Sequence, residues 1–149
     1  MADHKIHLRQ CKHNNQLAKA LIDDEMFYDW GIIATFYSAL HYANGALVAF
    51  GVVLPHECDS TSTMNHEIRK RKLLNNFGRP IAELYENLHV VCDRARYLNK
   101  TEQKYHRTPS LSYFSQDRAK SLYSNEFENF CRSVSEQLKQ RKNIDFALK

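Results

Sequence analysis

The sequence predicts an all-α protein, an up-down four-helix bundle with one additional short helix, spread over residues 1–149 as a single helical domain. Three observations carry the prediction. Apolar residues recur at steps of three and four in four separate stretches. No β-hairpin signal and no internal repeat appears. With 26% charged and 43% apolar residues the composition matches an ordinary globular chain, and 149 residues suffice for a real core.

Each element follows in order. Residues from about Ile6 to Ile22 contain Leu8, Leu17, Ala18, Leu21 and Ile22, a loosely amphipathic first helix. Asp23, Asp24 and Glu25 break it and supply a start signal for the next. From Trp30 to Leu54 run 25 residues without Asp, Glu, Lys or Arg, long enough to span a bilayer. Yet Ala34, Ser38, His41 and Gly45 form a small and polar stripe on one face, and no Lys/Arg cluster flanks either end to fix an orientation. The expectation is a buried core helix, not a membrane span, ended by Pro55. "HECDSTST" reads as a loop with Thr63 as N-cap, followed by a shorter helix from Met64 to Phe77 that Gly78 interrupts. Pro80 suits an early position of the next helix, whose stripe is Ile81, Leu84, Leu88, Val91, Ala95 and Leu98. Lys100 to Ser115 reads as a polar loop. The last helix, Gln116 to Arg141, turns Ala119, Leu122, Phe127, Phe130, Val134 and Leu138 inward.

The net charge is +4, and it is unevenly placed. His66 to Arg107 holds ten Lys/Arg against five Asp/Glu, whereas the rest of the chain is nearly balanced. A basic middle favours anionic partners such as RNA or nucleotides, although such runs also form plain solvated helix faces. Cys11, Cys58, Cys92 and Cys131 are dispersed with no C-x-x-C pair, which argues against a zinc ribbon or a disulfide scaffold. With no signal peptide in view, a reducing cytoplasm is the expected location. His4, His7 and Cys11 share one helical face, a weak metal trio; no cofactor or metal is expected.

"DWGIIATFYSALHYANGAL", then "NHEIRKRKLLNNF", then "LYENLHVVCDRARYLN" and an amphipathic closing helix together resemble a HEPN domain, from about Asn14 to Leu138. The resemblance implies a helical bundle paired as a homodimer with a cleft at the interface. Many relatives are metal-independent ribonucleases of toxin–antitoxin and other defence systems. Others are non-catalytic modules that bind nucleotides, nucleic acid or a nucleotidyltransferase or antitoxin partner encoded with them. Catalytic members carry an arginine, four to six residues, then a histidine; the arginine stabilises phosphate charge and the histidine moves protons. None of the eight histidines here has an arginine so placed. Arg9 and His13 come nearest, with three residues between, in the wrong helix.

A substitute constellation remains. His66 and Arg69 lie three apart on one helical face and are the candidate catalytic pair, with His41 of the long helix as a third member. Arg71, Arg94, Arg96 and Tyr97 are the candidate phosphate or nucleic-acid contacts. Each has a plainer reading: His41 as a hydrogen-bonded core histidine, "RKRK" as solvated surface, Tyr97 as a packing aromatic. The alternative function is a homodimeric helical interaction module that docks a partner protein.

Overall fold

A computed structural model describes residues 4–24, 27–59, 64–96 and 114–148, and all regular structure among them is helical. The elements are α1 (His4–Asp23), α2 (Tyr28–Phe50), α3 (His66–Phe77), α4 (Arg79–Arg96), α5 (Gln116–Ser121) and α6 (Glu128–Lys142). A short 3-10 turn, Pro55–Asp59, follows α2, and a π-helical turn, Leu122–Phe127, joins α5 to α6.

The charge-free segment is central because α2 packs against every other described helix. Phe36, Ala39, Tyr42, Ala43, Ala46 and Leu47 have almost no exposed surface. Each large apolar side chain among them contributes about 1.5–3 kcal/mol by leaving water. Its small polar residues are satisfied locally: Thr35 Oγ1 donates to Gly31 O at 2.8 Å and Ser38 Oγ to Ala34 O at 2.9 Å. No described helix is long and apolar enough to cross a membrane.

The largest contact of α2 is with α1, and two glycines permit it. A Cβ on Gly31 would lie 2.7 Å from Ile22 Cγ1, and one on Gly45 would meet Phe146 Cζ at 3.0 Å and His7 Cβ at 3.2 Å. The stripe of small residues therefore lets helices of the same chain approach closely.

Pro55 does not end α2. Gly51 does, in the left-handed conformation (φ 88°), with its N–H on the carbonyls of Leu47 and Val48. The N-cap of α3 is Asn65, whose side chain accepts from Ile68 N at 2.9 Å, so that helix begins at His66, two residues later than expected. Thr63, Leu98 and most of the expected polar loop lie outside the described residues. All six inward positions expected of the closing helix are buried. After Asn143, which caps α6 in the left-handed region at φ 55°, the chain turns back and seats Phe146 in the core. There Tyr42 Oη donates to Phe146 O at 2.6 Å and lies 3.0 Å from Cys131 O.

Candidate functional site

The polar centre of the molecule lies where α2, the start of α3 and α4 meet. Arg69 is only 3% exposed although it opens the run RKRK. Its Nε donates to Asn44 Oδ1 of α2 at 2.7 Å, its Nη1 to Tyr85 Oη of α4 at 3.2 Å, and its Nη2 to Met64 O at 3.3 Å. None of these partners is a carboxylate. Among the described residues the guanidinium is thus held in the interior by neutral acceptors, its planar fork matched to two helices and to the backbone just before α3.

Tyr85 Oη also lies 3.2 Å from His66 Nδ1. Arg69 can only donate, which leaves the tyrosine hydrogen available to a lone pair on the imidazole. Burial, the neighbouring His89 and the Arg69 charge depress His66 to a pKa of about 4, so the ring is neutral at pH 7. His66 stacks on His89 of α4 with ring centroids 3.9 Å apart and 27° between planes. His89 Nε2 lies 3.4 Å from Asp93 Oδ2, one turn along α4. The Asp93 carboxylate orients the His89 ring through Nε2 and leaves Nδ1 as the nitrogen it does not engage. Phe36 packs beside both rings, at 5.4 and 5.3 Å.

His66 and Arg69 both reach Tyr85 Oη, Arg69 is bonded to Asn44, and His89 with Asp93 stands beside His66. The structure turns His41 elsewhere: that ring stacks on His7 of α1, 5.9 Å away. Arg96 is exposed and close enough to His66 to help lower its pKa. Arg71 and Arg94 are exposed, and Tyr97 lies outside the described residues. Tyr85, His89 and Asp93 follow one another at four-residue steps, a spacing that places all three on one face of α4. That signal was available in the sequence beside the apolar stripe.

The N-terminal trio is apolar in character. Cys11 is fully buried, its thiol pushed up to about 12 by burial, and His4 packs on Phe146. Among the described residues no group of three or more His, Cys, Asp or Glu is placed to hold a metal ion. Comparison with protein-family models, curated proteins and solved structures finds no match to this chain.

Proposed function

We propose that this chain is a HEPN-like four-helix protein, with α3 as the additional short helix, that binds RNA and cleaves it at the His66–His89 pair. The observation that supports this reading is the pair itself: two stacked imidazoles, one neutral and hydrogen-bonded through Tyr85 to a buried cation, the other oriented by a carboxylate. In the proposed reaction His89 Nδ1 removes the proton of a ribose 2′-hydroxyl, with Asp93 stabilising the imidazolium. The new oxygen–phosphorus bond forms as the bond to the 5′-oxygen breaks, and that oxygen takes the proton back from His89. His66 Nε2–H and the Arg96 guanidinium face the charge that develops on the phosphate. Arg69, with all three guanidinium nitrogens engaged inside the protein, is a positioning residue here, not a phosphate contact. Arg71 and Arg94 extend the basic surface for the RNA backbone.

The test is incubation of the purified protein with single-stranded RNA in EDTA, with products resolved on a gel. Cleavage to cyclic-phosphate ends that His89→Ala and His66→Ala each reduce by about a hundredfold or more supports the assignment. Cleavage unaffected by either variant removes it, and salt-independent binding removes the RNA reading altogether.

One observation favours the second reading, a homodimeric interaction module. Phe27 and Trp30, at the start of α2, are 43% and 59% exposed. Large aromatics left in water at one place suit a contact with a second copy. Sedimentation equilibrium of the protein and of Trp30→Ser decides it: a dimer that the substitution dissociates supports the module, and a monomer at all concentrations refutes it.

A further inference from the structure

The surface of α1 differs from that of the other charged helices in its sign. Between His4 and Ile22 there is no Asp or Glu, and Lys5, Arg9, Lys12, Gln16 and Lys19 are all exposed. Steps of four, three, four and three place these five within about 80° of arc on one face, over about 21 Å of helix. All five end in N–H donors, and only Gln16 offers an acceptor as well. The exposed surfaces of α3, α4 and α6 mix the signs instead: Glu67 with Arg71, Glu83 and Asp93 with Arg94, Glu128 and Glu136 with Arg132.

The row does not serve the helix that carries it. A helix dipole favours acids in the first turn and bases in the last. Glu128 at the start of α6 and Lys139, Arg141 and Lys142 at its end follow that rule. Among its own residues α1 inverts it: the first turn holds Lys5 and no acid, the last turn has no base, and Asp23 closes it. Like charges one turn apart repel as well, so Lys5, Arg9 and Lys12 destabilise the isolated helix. A partner that lays negative charge along the same line removes both penalties.

The form of the row selects that partner. Cations at one-turn intervals along a straight line match a phosphate backbone, which is charged at regular intervals, better than the scattered carboxylates of a protein surface. A lipid surface fits less well, because the inward face of α1, with Cys11, Ala18 and Ile22, is buried in the bundle and cannot enter a bilayer interface. We propose that the exposed face of α1 binds the phosphate backbone of a nucleic-acid strand. The main contacts of α1 are with α2 and α5, whereas the His66–His89 pair stands on α3 and α4. This is therefore a second contact surface, and it needs no 2′-hydroxyl.

The experiment is fluorescence anisotropy of a labelled oligodeoxythymidylate, which the proposed cleavage chemistry cannot touch, titrated with the full chain at several salt concentrations. Arg9→Gln/Lys12→Gln, at two exposed positions, is expected to weaken binding by about tenfold or more while the helical circular dichroism stays unchanged. The slope of log affinity against log salt is expected to fall by about 1.4, for two phosphate contacts on a single strand. Lys139→Gln/Lys142→Gln removes the same charge from α6 and is expected to leave both affinity and slope unchanged. Equal losses from the two double variants show attraction to net charge alone and overturn the proposal, as does an unchanged slope in the α1 variant. No binding to the oligonucleotide also overturns it, and binding to phosphatidylserine vesicles in its place assigns the row to a lipid surface. Oligonucleotide binding that depends on Arg9 and Lys12 in a protein that cleaves no RNA leaves this proposal standing and removes only the cleavage assignment.

Discussion

Tyr42 and Asn44 stand two residues apart on α2, about 200° round the helix, and they anchor opposite sides of the molecule in opposite ways. On the Asn44 side, the interior is polar. Arg69, Tyr85 and His66 satisfy one another through a chain of hydrogen bonds, and the rings of His66, His89 and Phe36 fill the remaining volume. On the Tyr42 side, the interior is aromatic. Tyr42 packs on Phe130 and Phe146, centroids 6.1 and 4.9 Å away, and burial raises its hydroxyl far above the ordinary phenol range. The first side is held by matched donors and acceptors, whose net contribution is modest but whose loss is costly. The second is held by area removed from water.

That contrast can be broken from either side. The largest effect is expected from Phe146→Ala, which empties a fully buried ring site and is expected to cost about 3–5 kcal/mol in urea unfolding. Arg69→Met follows, with an expected loss of about 2–3 kcal/mol as Asn44 Oδ1 and Tyr85 Oη lose their donor. Should Arg69→Met instead stabilise the protein, the polar side is not needed for folding, and its retention points to chemistry. Tyr85→Phe removes the hydroxyl linking Arg69 to His66 and is expected to cost about 1–2 kcal/mol. NMR titration of the His66 ring in that variant then reports whether burial, His89 and the Arg69 charge keep it neutral without the hydroxyl.

The smallest effect is one of pH. His66 is lowered from 6.5 to about 4 in the folded chain, so between those values the unfolded chain binds more protons. Stability from this group is complete above pH 6.5 and lost as pH falls towards 4. The ring is partly solvated, so the loss is on the order of 1 kcal/mol. Urea midpoints measured from pH 7 down to pH 4 for the protein and for His66→Gln check it. The variant should lose the part of the slope that His66 supplies, and identical slopes would contradict the linkage.

The same two sides differ in how far the sequence revealed them. The burial of α2 was legible because 25 uncharged residues admit few other homes, and the stripe at Ile81, Leu84, Leu88, Val91 and Ala95 placed α4 correctly. The interior place of Arg69 was not legible, because four consecutive basic residues look solvated on every face. His89 was not legible because the Tyr85–His89–Asp93 row runs beside a stronger apolar stripe on the same helix. The closing helix carried a readable irregularity: its inward residues step by three or four except from Leu122 to Phe127, a step of five, where the π-helical turn lies. Phe146 had no periodic neighbours to announce it. A single aromatic in a six-residue tail becomes a core residue only through the seat that Gly45 and Tyr42 leave for it.

That seat bears on the order of events during synthesis. Tyr42 and Phe146 are separated by 104 positions, so the phenol of α2 waits for 104 further residues before its second carbonyl partner is made. Helices made early can pair locally, but this part of the aromatic interior can close only after Phe146 is made. Such long-range contacts raise the mean sequence separation on which folding speed depends.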